Sequence, residues 1–522
     1  MAHTPLMQRL ISLTKLAHQS RKKNVPVNEL SEQHLYSRRN FLQTSGKAVA
    51  AATIFASCTK HAKVPNPGNP SKPVVAIIGA GIAGLNAAYT LKKSGISSTI
   101  YEASSRTGGR IFTAQNILNP GLSTELGGEF IDSNHHDMKM LAAEFNLPLL
   151  NLYSPSELKL QQNLYRFNGV NYSDADFLNA IADYMPRITQ DVNSLSDVIK
   201  YNSYSPADKK FDEMSIEEYF DSINLTGWLR SVILMAYLGE YGLNTGTCNA
   251  INFLFLFGES PEGEVALYGV SDEKYRVSGG NQRIVDALAN ELKDTINTEH
   301  KLVKLKDNGA SGFELFFENK PTSVKANIVL LTLPFKLLRE VELDVEMPAV
   351  KRRSINTLGY GDNSKLLLGF NGKPWRTKYK TVGMSYSDNG TQNTWDNSQQ
   401  QPGDDGGLTI FLGGTDAVKL ANASAEQQAA QYLAKLDKLY PGIENDFNNK
   451  SFSMNWPSHP FTKCGYSAFR VGQYTTIAGS EFEPVGNLFF AGEHTSYNYQ
   501  GFMNGGAVTG RKAAENILKR ID

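Results

Sequence analysis

The sequence predicts an α/β fold built on a Rossmann-like dinucleotide-binding domain, and three observations predict it. The run Val74-Val75-Ala76-Ile77-Ile78 is apolar and largely β-branched, as a strand buried on both faces of a parallel sheet must be. It leads directly into Gly79-Ala80-Gly81-Ile82-Ala83-Gly84, which has the G-x-G-x-x-G spacing. A second apolar strand over 98–101 ends at Glu102, close to the offset of about twenty residues at which a ribose hydroxyl acceptor stands.

Each element has a local reason. Gly79 permits the tight turn, Gly81 lets backbone approach a pyrophosphate, and Gly84 lets the helix pack on the strand. The helix expected over 82–94 carries Ala83 in its first turn and points its N-terminus at the phosphates. Next comes Glu102-Ala103-Ser104-Ser105-Arg106-Thr107-Gly108-Gly109-Arg110, whose small residues let backbone crowd a diphosphate and whose guanidinium forks suit its oxygens. Glu125-Leu126-Gly127-Gly128-Glu129-Phe130 has paired glycines that allow close backbone approach. Gly279-Gly280-Asn281 opens an amphipathic helix over 282–292, followed by strands over 301–305, 313–317 and 328–333. The end of the chain brings Asn487-Leu488-Phe489-Phe490-Ala491-Gly492-Glu493-His494, then Gly501-Phe502-Met503 and a helix over 503–518. The polar stretch 387–407 reads as surface loops.

The segment E-A-x-x-R-x-G-G-R after a dinucleotide fingerprint resembles the flavin amine oxidase family, which includes monoamine, polyamine and L-amino-acid oxidases. The resemblance spans about 74–518, sharp at both ends and loose between them. It implies FAD, non-covalent by the departure at Gly465 described below, in a discontinuous Rossmann-like domain (73–150, 275–350 and 455–522), beside an α+β substrate domain (151–274 and 351–454). It also implies cofactor contacts from Gly79, Gly81, Ala83, Gly84, Glu102, Ala103, Arg106, Gly109 and Arg110. Gly127, Gly128 and Glu129 would pass beside the isoalloxazine, and backbone near Val303 would meet the adenine. Gly492, Glu493, Gly501, Phe502 and Met503 would close the site.

For catalysis the resemblance points to Lys365, entering a buried strand in Asn363-Ser364-Lys365-Leu366-Leu367-Leu368. Its family counterpart bonds through water to the flavin N5 atom, which would assist reduction of oxygen. Tyr466 and Phe502 match the pair of aromatic residues that guide an amine to the flavin. His494 reads as structural, since hydride transfer needs no histidine base. Two departures narrow the reading. Relatives that attach FAD covalently do so through a cysteine just before the aromatic tyrosine, where this chain has Gly465 and carries Cys464 one position earlier. Amino-acid oxidases of the family carry an arginine shortly after the Gly-Gly pair, whereas here Glu129-Phe130-Ile131-Asp132 follows. An amine without a carboxylate, oxidised with oxygen to imine and aldehyde with release of ammonia and hydrogen peroxide, is therefore the expected reaction. The alternatives are an L-amino-acid oxidase, a flavin dehydrogenase or desaturase of carotenoid or porphyrin type, and a catalytically silent flavoprotein.

At 522 residues and 41% hydrophobic, the chain has core enough for two domains. Lys+Arg and Asp+Glu both number 52, so no net charge draws it to nucleic acid, and no metal-ligand spacing is present. Residues 1–58 hold Arg21-Lys22-Lys23, then Arg38-Arg39-Asn40-Phe41-Leu42 and a short apolar run, which resembles a twin-arginine export signal. Phe55-Ala56-Ser57-Cys58 resembles a lipobox, with Cys58 as the lipid anchor to a membrane, and 59–72 reads as a proline-containing tether. Beyond Cys58, only Cys248 and Cys464 remain, so no disulfide framework is expected.

Overall fold

The computed structural model describes residues 73–256 and 273–521. The expected export signal, Cys58 and the expected tether lie outside them.

The predicted first strand, Val75–Ile78, is fully buried at the centre of a five-stranded parallel sheet. On one side it pairs with Ser98–Tyr101, which pairs in turn with Ile296–Asn297. On the other it pairs with Ile328–Leu331, which pairs with Leu488–Phe490. Strands from the start, middle and end of the chain thus share one sheet, and both glycine-bearing motifs emerge at its carboxyl edge. This is where open α/β sheets present ligands. A four-stranded sheet (Val324–Ala326, Phe313–Phe317, Leu302–Asp307 and Glu342–Asp344) packs beside it.

The helix Ile82–Lys93 packs along the terminal helix Met503–Ile521 at backbone distance. A Cβ added at Gly510 would stand 2.1 Å from the Ala83 carbonyl oxygen, so only glycine allows this approach. The crossing presses the N-terminal and C-terminal motifs together.

The remaining architecture is a seven-stranded sheet, mostly antiparallel, in the order Phe447–Asn455, Asn363–Phe370, Gly406–Gly413, Gln392–Asp396, Ser385–Ser387, Leu164–Phe167, Val170–Tyr172. Helices between Asp174 and Leu256 form their own aromatic-rich core against it.

One expectation is overturned here. The stretch 387–407 is surface loop only in part: 402–405 is exposed, but Gln392–Asp396 is a buried central strand, and Trp395 is 6% exposed. Most of its polar residues are buried because they bond each other and their neighbours, as in Ser385 Oγ to Thr394 Oγ1 at 2.6 Å and Asn397 Nδ2 to Thr409 Oγ1 at 3.1 Å. Polarity alone gave no warning of this, since hydrogen-bonded polar side chains bury at little cost.

Candidate active site

Both dinucleotide motifs open on one cavity of about 820 Å³, near the upper end of the size range of small-molecule sites. The helix Ile82–Lys93 begins there with Gly81 as N-cap, and neither a side-chain cap nor an acidic residue in its first turn satisfies its leading N–H groups. A Cβ added at Gly81 would meet nothing within 4 Å, so it would project into open cavity. The Gly108 N–H donates to the Ala80 carbonyl at 2.8 Å and stitches the second glycine loop to the first. An uncapped helix start with two glycine loops folded over it fits an anionic diphosphate.

Glu102 is buried beside this loop. Its Oε2 accepts from the Ala80 N–H at 2.8 Å, and its Oε1 accepts from the Ser104 N–H and hydroxyl at 2.9 and 2.8 Å. A carboxylate oxygen has two acceptor sites, so Oε2 retains one for a ribose hydroxyl. Ala103, Val303 and Leu302 line the same end of the cavity, near a ring cluster of Tyr101, His300 and Phe317 with centroids 4.8–5.6 Å apart. The sequence had not singled out Tyr101 or His300.

The two arginines shape the loop itself. Arg106 spends its guanidinium on the carbonyls of Thr107, Gly109 and Ile111 and lies 4.0 Å over the Phe112 ring. Arg110 donates to Gly465 O and Glu493 Oε1, both at 2.8 Å. Glu493 also accepts from the Ser467 N–H and hydroxyl at 3.1 and 2.7 Å and from the Gly501 N–H at 2.7 Å. Burial pushes this carboxyl up, but the Arg110 charge and these hydrogen bonds outweigh it and hold Glu493 below the usual range.

Gly127 and Gly128 pack into the wall, where added Cβ atoms would stand 1.9 Å from Arg110 O and 2.7 Å from the Met503 side chain. Lys365 reaches this wall from the strand Asn363–Phe370 and is 4% exposed. Its Nζ donates to Glu125 O at 3.1 Å, Gly127 O at 2.9 Å and Glu129 Oε2 at 2.8 Å. An ammonium has three N–H groups, so a water at Nζ would have to replace one of these partners. Burial raises Glu125, next to this group, to about 7.

Beyond Lys365 the cavity becomes aromatic. Tyr466 and Phe502 both line it, as do Phe130, Trp395 and Phe411. The Tyr466 hydroxyl donates to Gly239 O at 2.9 Å, and burial, with Glu240 and Glu273, raises it well above its ordinary value. Phe502 stands edge-on to His135 at 4.9 Å, and burial lowers that imidazole to about 3, so it is neutral. The Trp395 ring lies 5.6 Å from Phe130, 5.4 Å from Phe411 and 5.3 Å from Lys365 Nζ. Trp395, Phe411 and Glu273 escaped the sequence reading; the aromatic residues on two paired strands were its one available signal. His494 lies outside this cavity, with its ring 4.5 Å from Phe335. Among the described residues, no cluster of His, Cys, Asp or Glu could hold a metal, and no helix is long and apolar enough to cross a membrane.

The family profile described as "Flavin containing amine oxidoreductase" matches residues 82–518. The chain belongs to this family. FAD is therefore its cofactor and amine oxidation its chemistry. Among its relatives, a flavin-containing amine oxidase of Oncorhynchus mykiss is 24% identical over 457 residues, covering 85% of each chain. Polyamine oxidase 1 of Zea mays is 22% identical and covers 90% of this chain and 95% of its own. The solved cyclohexylamine oxidase from Brevibacterium oxydans superposes with a TM-score of 0.75 at 18% identity, over 86% of this chain and 99% of its own.

Proposed function

We propose that this amine oxidoreductase oxidises an amine bearing no carboxylate, uses oxygen as electron acceptor, and holds its FAD without a covalent bond. The cavity carries the reading, because it joins the cofactor cradle to an aromatic chamber formed by Phe130, Trp395, Phe411, Tyr466 and Phe502. The overall change is R-CH2-NH2 plus O2 to R-CH=NH plus H2O2, and the imine then takes up water to give R-CHO and NH3. When bound, FAD supplies the acceptor for the hydride equivalent and the reductant for oxygen.

The protein's own residues divide the rest. Apolar walls desolvate the amine and favour its neutral form, whose lone pair assists C–H cleavage. Tyr466 and Phe502 orient the amine. Lys365 places a positive charge where oxygen acquires negative charge. Arg106 and Arg110 line the cavity but are engaged by backbone carbonyls and Glu493, and Arg276 is buried outside it, so none is offered to a substrate carboxylate. Cys464 is buried, does not line the cavity, and is raised by burial to about 11, which supports non-covalent FAD.

In this reading, 73–150, 275–350 and 455–522 hold the cofactor, while 151–274 and 351–454 serve the substrate. We also assign residues 1–58 to twin-arginine export with lipidation at Cys58, which metabolic labelling with palmitate of wild type and Cys58→Ala would test.

Anaerobic addition of primary amines, polyamines and L-amino acids to the purified protein tests the reaction. Bleaching of the flavin absorbance by amines, with peroxide formed once air is admitted, is the expected result. Bleaching by L-amino acids alone would overturn the substrate reading.

A further inference from the structure

Glu129 is the feature the proposed reaction leaves unexplained. It is 5% exposed and lines the cavity. Its Oε2 accepts from Lys365 Nζ at 2.8 Å, while Oε1 makes no hydrogen bond and faces Arg276 Nη1 at 3.6 Å. Arg276 is itself 4% exposed and held in place by the carbonyls of Asn397 and Gln399. One buried carboxylate thus stands between two buried cations, so these three side chains together carry a net charge of +1.

The strengths of the two pairings differ. Lys365 is fixed by three short contacts, all to the segment 125–129. Arg276 touches Glu129 only by charge. Removing the carboxylate therefore leaves both cations held by backbone carbonyls, at positions the fold still dictates. The change would be chiefly one of charge.

We propose that Glu129 is a positioning residue that sets the electrostatic field of this wall. It fixes the Lys365 ammonium and cancels one of the two positive charges, and so limits how strongly the wall stabilises the electron-rich, reduced form of the cofactor. This rests on FAD being bound in the cavity, as membership of the family requires. Charge near the redox-active ring is one of the means by which a protein tunes a bound flavin. The effect falls off slowly in a desolvated site, where screening is weak.

The test needs no substrate. FAD-loaded wild type, Glu129→Gln, Lys365→Met, Arg276→Gln and the double variant Glu129→Gln/Lys365→Met are titrated anaerobically with dithionite against reference dyes. FAD content is checked by absorbance after desalting. Glu129→Gln raises the wall charge and should shift the two-electron equilibrium toward reduced FAD tenfold or more, about 30 mV upward. Lys365→Met and Arg276→Gln should each shift it downward. The double variant restores the wild-type charge and should return to within about twofold of the wild-type equilibrium.

A purely structural role for Glu129 predicts no such pattern of opposite signs and rescue. An unchanged potential in Glu129→Gln with FAD bound overturns the proposal, as does a double variant that stays displaced. If Glu129→Gln does not retain FAD, the two cation variants decide, and the proposal fails if neither lowers the potential. Failure of the wild type itself to hold FAD would refute the cofactor reading instead.

Discussion

Replacing Glu493 by Ala should be among the most damaging single changes in the cofactor cradle. The carboxylate gathers three segments through four donors: it accepts from Arg110 at 2.8 Å, from the Ser467 N–H and hydroxyl at 3.1 and 2.7 Å, and from the Gly501 N–H at 2.7 Å. Its side chain is 7% exposed and that of Arg110 24%, so solvent compensates little when the acceptor goes. Breaking a buried ion pair from one side costs about 3–5 kcal/mol. Each buried donor left without a partner adds roughly 1–3 kcal/mol. The total is about 5 kcal/mol or more, a large fraction of the roughly 5–15 kcal/mol that holds a domain folded. At about 2–4 °C per kcal/mol, the melting midpoint should fall by roughly 10–20 °C. Flavin fluorescence and circular dichroism followed together on heating would measure it. Glu493→Gln, which keeps one acceptor oxygen, should lie between Ala and wild type. The sign of the pH dependence supplies a second check. The folded carboxyl lies below its unfolded value of 4.5, so its contribution is present above that value and is lost as pH falls through the folded pKa. Glu493→Gln should therefore lose part of the protein's acid sensitivity below about pH 4.5. A midpoint for Glu493→Ala within about 2 °C of wild type would refute the bracket.

Four further outcomes follow from the same structure. Glu102→Ala removes the acceptor of the Ala80 N–H and of Ser104, and FAD affinity should weaken about 10–100-fold; equal retention of FAD after desalting would count against its role. Acid precipitation of the wild type should leave the flavin in solution, and flavin in the pellet would contradict non-covalent binding. Substituting Cys at Gly465 should not create a link but destabilise the fold, because a Cβ there would stand 2.4 Å from Asn363 Oδ1. Glu481, buried outside the active-site cavity, is raised by desolvation from 4.5 to about 7. A raised carboxyl favours the folded state while protonated, so stability should decline as pH rises from about 4.5 through 7, by up to about 3 kcal/mol. Glu481→Gln should flatten that decline, and an unchanged slope between pH 5 and 8 would show that another group causes it.

The parts of this molecule legible in its sequence are those where the backbone does the binding. Gly79 and Gly84 are visible because close approach leaves no substitute for glycine, Gly81 because its missing Cβ leaves the cavity open, and the buried strand before them because both of its faces must be apolar. Lys365 stood out for a related reason, as a charge at the entrance of a strand whose other members are apolar or small. What the sequence hid is built from side chains that satisfy one another across long separations. Arg276 and Glu129 are 147 positions apart and meet only because the strand Tyr275–Val277 is carried past the 125–129 segment, which no local periodicity encodes. The segment 392–401 misled for the same reason. Its Asn, Gln, Thr and Ser residues look solvated one by one, yet Gln399 and Gln400 bond Glu157, Gln401 bonds Ser123, and Asn397 bonds Thr409. Trp395 sits within this polar network and reaches the cavity because the network is buried around it. Local composition therefore pointed to the glycine-rich loops, whose signal is local, while the aromatic chamber proposed to hold the amine depended on pairings only the folded chain reveals. Substrate preference should accordingly respond to changes at Trp395 and Phe411 more than FAD binding does. Trp395→Ala should widen the chamber and shift turnover toward bulkier amines with FAD content unchanged, and loss of FAD in that variant would place the residue in the cradle instead.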